Sequence, residues 1–341
     1  MPLTFVQTSE ADRDEICALF RDAFVSKNES LAFMRWKFWQ PRPDWEGSRG
    51  YKLCQGEKLI AHAGILPAVF HSGPVKWRAL HFIDWVSSRH SVSGGVQLLR
   101  RLAGLTDLVC AVGGTAATQS ILPMIGFKPL GAVLTMARPV RPYKQAITHQ
   151  WRDWKLPLRF ARNTAWNLSA PLTAPSGWTA EPVRPQDIGM DLWAPRQSEG
   201  TLVRERSPDV TSYFLSCPDV PFRFFLARER NAPQGCFLIA DVGGQARIAD
   251  LWINNATAER YQAMYRLACL AAYQNRDVAE IAVYSSMECR TQALLQCGFR
   301  VLRTTPFMML SGTGAGFQAI DCQMIDNDAP FLHRSGFSYS T

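Results

Sequence analysis

Apolar residues Ile16, Leu19, Phe20 and Phe24 recur at helical spacing behind an acidic start at Ser9-Glu10 and Asp12. That pattern predicts a helix over Ala11–Phe24, after a short strand at Thr4–Val6. A second helical stretch, Leu31 to Trp39, ends before Pro41 and Pro43, because a residue preceding proline is pushed out of the helical region. Tyr51–Cys54 and Leu59–Phe70 flank Gln55-Gly56-Glu57-Lys58 and read as a hairpin. A second turn, His71–Pro74, leads into the strand Val75–Val86. Then follow a helix from Gly94 to Leu105, an apolar strand Leu108–Val112 and a helix over Thr115–Met124. Gly126-Phe127 opens a last strand, Val133–Ala137.

The second half repeats this order. Val183–Leu192 gives a strand edge and short helix, and strands are predicted at Phe222–Arg228, Gly235–Val242 and Arg247–Ile253. A helix over Ala258–Gln274, a strand at Glu280–Tyr284 and a helix at Cys289–Gln296 come next. Gly298-Phe299 then precedes a strand at Phe307–Leu310. Pairing Ala61 with Ala240 and Gly126 with Gly298 leaves the second half shorter, and the shortfall is expected in a Ser/Gly-rich loop of the first half. Early hairpins followed by strand–helix alternation imply an α/β (α+β) fold with a mixed sheet and helices on its faces. Three segments result: 1–140, a linker 141–177 and 178–341. The linker carries a predicted helix over His149–Leu168 with Trp151, Trp154, Leu158, Ala161 and Ala165 on one face and Arg152, Lys155, Arg159 and Arg162 among them. A membrane-surface helix would show this pattern; a linker helix packing its tryptophans between two halves explains it more simply.

Composition narrows the classes. The 341-residue chain is 47% hydrophobic and 19% charged, as ordinary globular proteins are. No run approaches the length of a membrane span, and the N-terminus shows no secretory signal, so a cytoplasmic location is expected. Nine cysteines lie without a CxxC pair or metal-ligand spacing, which predicts reduced thiols and no metal. The net charge of +8 is concentrated in the first 177 residues, which suits a phosphate-bearing cofactor. No nucleic-acid-binding motif occurs, and no P-loop is present.

The informative stretch runs from His81 to Leu102: an apolar strand, then Ser87-Ser88-Arg89-His90-Ser91-Val92-Ser93-Gly94-Gly95, then an amphipathic helix. Small residues there let backbone N–H groups at a helix N-terminus approach a diphosphate. Gly95 followed by Val96 and then Leu98-Leu99, with Gly126-Phe127 before the last strand, resembles the GNAT superfamily of acyl-CoA N-acyltransferases, whose pyrophosphate loop reads Q/R-x-x-G-x-G/A. His90 stands at the Q/R place and Ser93 at the first glycine; Leu122 stands where many members carry a tyrosine acid. The resemblance spans both halves, as in bacterial tandem-GNAT proteins.

This resemblance implies two tandem GNAT-like domains, with acetyl-CoA (or another acyl-CoA) bound in the first. Trp85, Val86, Arg89, His90, Ser91, Ser93, Gly94, Gly95, Val96, Gly113 and Gly114 would hold the cofactor. Asp84 is the candidate general base; a carboxylate paired with an arginine or with backbone is the alternative. The implied reaction moves an acyl group to an amine of a small molecule or sugar, and a non-catalytic acyl-CoA-binding or scaffold protein is the second reading. The second half has no counterpart of the Ser/Gly loop and is expected to have lost the cofactor. His62 and His81 read as core histidines and Cys110 as an inert buried thiol.

Overall fold

The two halves share one sheet. The computed structural model describes residues 2–23, 29–89, 91–148, 155–194, 198–312, 314, 316–332 and 339–341. In the first half, strands β1 (Leu3–Gln7), β2 (Gly50–Gln55), β3 (Lys58–Ser72), β4 (Val75–Ser87), β5 (Leu108–Val112) and β6 (Lys128–Pro139) alternate with helices α1 (Arg13–Ala23), α2 (Leu31–Met34), α3 (Val92–Ala103) and α4 (Ala116–Met124). A π-helical turn, Arg35–Trp39, continues α2. The linker contributes α5 (Pro142–Thr148) and α6 (Leu156–Ser169). The second half holds β7 (Trp178–Pro182), β8 (Thr201–Arg204), α7 (Pro208–Leu215), β9 (Phe222–Glu229), β10 (Ala232–Val242), β11 (Gln245–Ile253), α8 (Ala258–Gln274), β12 (Glu280–Ser285), α9 (Glu288–Gln296), β13 (Arg300–Ser311) and β14 (Ala319–Ile320).

The strand order along the sheet is β1-β2-β3-β4-β5-β13-β6-β12-β11-β10-β9-β7. The last strand of each half therefore lies in the other: β13 pairs with β5, and β6 pairs with β12. Register makes the exchange symmetric. Leu108 pairs with Ser311 as Glu280 pairs with Pro139, and Met308–Pro129 mirrors Val301–Met136 about a centre at Thr305–Val133. The sequence boundary at residue 140 is thus not a boundary of the sheet. Both exchanged strands begin directly after their Gly-Phe pair, several residues before the apolar cores (133–137 and 307–310) by which the sequence marks them. Their first residues are largely exposed, the apolar Val301 and Leu302 among them.

The loops joining β4 to α3 (residues 88–91) and β11 to α8 (residues 254–257) are equally long. The surplus of the first half lies instead in the longer β3–β4 hairpin, whose far end pairs with β8 through Phe70–Arg204 and His71–Val203. Aligned on strand register, Ala79 corresponds to Gln245 and Asp84 to Asp250.

One apolar cluster joins β2–β5 to α3 and α4 through Leu53, Ile65, Leu98, Leu102 and Phe127. Another joins Phe33 and Trp36 to Tyr213, Phe214 and Phe331 of the second half. The aromatic residues of α2 and its π-turn are therefore core. In the linker, α6 buries Asn163 and Trp166 while Leu158 is exposed, so the face used differs from the one its apolar spacing suggested; Trp151 and Trp154 lie outside the described residues. The Trp166 indole N–H donates to the Gly298 carbonyl at 2.6 Å.

Candidate active site

Parallel strands β4 and β5 pair only over Ala79–His81 and Leu108–Cys110. Beyond that β4 continues to Ser87, while β5 runs out along β13, with Val112 opposite Phe307. The two strands part there, leaving a wedge beside Phe82–Ser87. Within it β4 bulges: Ile83 pairs with Gly64 and Val86 with His62, so two residues, Asp84 and Trp85, face one position of β3. Asp84 takes up the distortion with φ of 50°, a left-handed conformation that Asp tolerates better than most residues.

On the α3 side of the wedge, Trp85 closes over the start of α3. Its indole N–H donates to the Gly95 carbonyl at 2.9 Å, and its ring meets Phe82 edge-on. A Cβ on Gly95 would stand 3.3 Å from that indole nitrogen and from the Ser87 hydroxyl, which is why a small residue is needed. Ser91, at the N-cap of α3, gives no side-chain cap. An open cleft of about 810 Å³ runs between α3 and α4, lined by Ser93, Val96, Gln97, Arg100, Arg101, Ile121, Met124 and Ile125. Arg100 and Arg101 are exposed at its edge.

The structure brings Trp85, Ser91, Ser93, Gly94, Gly95 and Val96 to this cleft or the start of α3. Gly113 and Gly114 follow β5 with positive φ, 80° and 92°, and let the chain turn into α4. Two residues stand differently. Val86 turns its side chain to the opposite face, against Ile16, Phe20 and Phe38. Arg89 donates to the Asp22 carbonyl at the end of α1, 3.1 Å away. His90 lies outside the described residues. Sequence reasoning missed Arg100, Arg101 and the α4 wall, where Met124 stands exposed.

On the other face, Asp84 is buried in an ion pair with Lys37 at 2.5 Å, and Lys37 also meets Glu29 at 2.9 Å. Burial works against the charge on Lys37, but Asp84, Glu29 and Asp328 outweigh it and hold the ammonium protonated far beyond neutrality. The carboxylate is thus paired, with a lysine where the sequence suggested an arginine. His81, one turn of the pleat earlier, is buried; desolvation, aided by Arg204, pulls its imidazole down to about 3. Burial pushes the Cys110 thiol up, and Leu122 is fully buried beneath α4.

The second half is built alike and closed. Strands β11 and β12 pair over Gln245–Ile248 and Glu280–Val283 and then part, with a bulge at the register shift by Leu238–Ile239. Here Gln323 enters the gap: its side-chain oxygen accepts from the Leu251 N–H at 2.8 Å, and its amide donates to Asp250 at 2.8 Å. Arg206 grips Asp250 in a two-pronged pair at 2.9 and 2.8 Å. On the other face α8 packs directly on α9, and the end of α6 lies over them. Among the described residues no group of His, Cys, Asp or Glu could hold a metal, and no helix is long and apolar enough to cross a membrane.

A split β4–β5 pair and a bulged β4, both matched in the second half, with a small-residue turn into α3 in the first, define the fold of GNAT N-acetyltransferases in tandem form. Known structures bear this out. The chain is similar to Saccharomyces cerevisiae N-myristoyltransferase with bound myristoyl-CoA (TM-score 0.63, 10% identity, 96% of this chain and 84% of that one). It is similar to a tandem GNAT protein from the clavulanic acid biosynthesis pathway (0.56, 10%, 92% and 100%). It is also similar to a GCN5-related N-acetyltransferase from Anabaena variabilis (0.56, 10%, 90% and 72%). No protein-family model matches the sequence, and no curated protein does.

Proposed function

We propose that this protein is an acyl-CoA-dependent N-acyltransferase whose first half binds the acyl donor and whose acceptor is an amine on a small molecule or sugar. One observation carries the reading: the wedge between β4 and β5 opens beside an unfilled cleft in the first half, whereas the matching wedge of the second is occupied by Gln323. The cleft fits the donor in character. It has apolar walls at Val96, Ile121, Met124 and Ile125, two exposed guanidiniums, and the N-terminus of α3 with its glycines at one end. In this reading the first turn of α3 takes the diphosphate, Arg100 and Arg101 take the remaining phosphate charge, and the strand edge of Phe82–Val86 takes the pantetheine amides.

Bound acyl-CoA supplies an activated carbonyl and a good leaving thiol. The protein's part is to place an amine against that carbonyl and to stabilise the charge that develops on its oxygen. The Trp85 N–H, counterpart of the Leu251 N–H that Gln323 satisfies, is the donor assigned to that oxygen. Asp84 is assigned the proton of the attacking amine, although its carboxylate is already engaged by Lys37.

That pairing, with Leu122 in place of a hydroxyl, favours a second reading: a GNAT-fold acyl-CoA-binding protein without turnover. Release of free thiol from acetyl-CoA over a panel of amines separates the two. Acceptor-dependent release that Asp84→Asn abolishes supports the enzyme. Binding of acetyl-CoA with no release for any amine supports the second reading.

A further inference from the structure

The closed second half retains a remnant of the cleft. At matching positions of the repeat, Arg100 of α3 corresponds to Arg266 of α8, and Met124 and Ile125 at the end of α4 correspond to Gln296 and Cys297 at the end of α9. Residues 169–173, at the end of α6 and just beyond it, lie across this groove and leave a cavity of about 210 Å³ lined by Arg138, Arg266, Ser169, Thr173, Gln296 and the thiols of Cys269 and Cys297, among others. The exchanged strand β6 supplies Arg138, which is 2% exposed. Its guanidinium donates to the carbonyls of Cys297 and Ala170, while its Nε, also buried, has no hydrogen-bond partner.

No acidic side chain lines the cavity. Among the described residues neither Arg138 nor Arg266 forms a salt bridge, although Arg204, Arg206 and Arg290 elsewhere in the same half each face an aspartate. Burial pushes the Cys269 thiol up to about 12 and the Cys297 thiol up to about 11, the latter in spite of Arg266 beside it, so neither thiol supplies a negative charge at neutral pH. A buried guanidinium without a counter-charge is costly, and the carbonyls that it touches answer only part of that cost. The cavity is too small for a nucleotide-bearing cofactor and large enough for a phosphate with a small substituent.

We infer that this cavity binds a small oxyanion, a phosphate or phosphate ester, held by Arg138 and Arg266 with the Thr173 hydroxyl beside them. Guanidinium and hydroxyl donors are the usual chemistry of phosphate recognition. The ligand would tie the linker strap 169–173 to α8 and α9. This site is independent of the acyl-CoA reading, since it shares no residue with the first cleft.

The test uses the full chain and inorganic phosphate, titrated against chloride at constant ionic strength and followed by thermal unfolding and by calorimetry. Saturable stabilisation is expected. Arg266→Gln should weaken phosphate binding about tenfold, Thr173→Val should weaken it less, and Arg184→Gln, an exposed arginine outside both clefts, should leave it unchanged. Glycerol phosphate and sulfate distinguish an esterified ligand from any oxyanion. Absence of saturable phosphate binding by the wild-type chain overturns the inference. So does binding that survives both cavity substitutions or is lost in Arg184→Gln.

Discussion

Replacing Asp84 with asparagine separates its structural duty from its chemical one. Asparagine keeps the shape and tolerates the left-handed φ of 50°, so the change removes charge and little else. The Asp84 and Lys37 side chains are 5% and 1% exposed. Removing one partner of such a buried pair costs about 3–5 kcal/mol when the other charge is left uncompensated. Lys37 keeps Glu29 at 2.9 Å, so Asp84→Asn belongs at or below the lower limit, about 2–3 kcal/mol. Asp84→Ala should cost about 1 kcal/mol more, because alanine resists the left-handed region. Lys37→Met strands two buried carboxylates and should cost the most. Urea denaturation of the two single variants and the double variant gives the coupling directly. A coupling near zero, or an Asp84→Asn protein within about 0.5 kcal/mol of wild type, the noise of ordinary surface changes, would refute the clamp. With the fold accounted for this way, any loss of turnover in folded Asp84→Asn protein belongs to chemistry.

Other consequences are as open to measurement. His81, held near 3 in the fold, has an ordinary pKa of about 6.5 when unfolded. The unfolded chain therefore takes up this proton first, so stability is full above about pH 6.5 and falls below it by about 1.4 kcal/mol per unit down to about pH 3. His81→Gln should flatten that limb in denaturation curves at pH 7, 6 and 5; an unchanged slope would show that His81 is not buried neutral. A chain ending at residue 299 lacks β13, leaving long edges on β5 and β6, and should aggregate, as light scattering of the purified chain would report. Arg101→Gln should weaken coenzyme A binding about tenfold while moving dephospho-coenzyme A less, by competition calorimetry.

The repeat itself was legible because Gly-Phe pairs, hairpin turns and apolar strands leave strong local signals in both halves. The exchange of β6 and β13 was not, because either partner, β5 or β12, offers the same apolar run to either strand. Asp84 could be singled out as a carboxylate on an apolar strand. Its counter-ion, Lys37, sits on a π-turn whose neighbours Trp36 and Phe38 masked it as one polar residue on an aromatic helix. The turn into α3 was recognisable from its small residues. Arg100 and Arg101, in contrast, look like any solvent-facing basic pair until α4 is placed across from them. Gln323 and the strap at 169–173 close the second half from far away in sequence, and no local pattern announces such a closure.

The number of acetyl-CoA molecules that one chain binds tests the central claim most directly. Calorimetric titration of the full protein should give one site per chain, abolished by filling the cleft with Val96→Trp and indifferent to Gln323→Ala. No binding, two equal sites, or one site untouched by Val96→Trp would contradict the assignment of the open α3–α4 cleft.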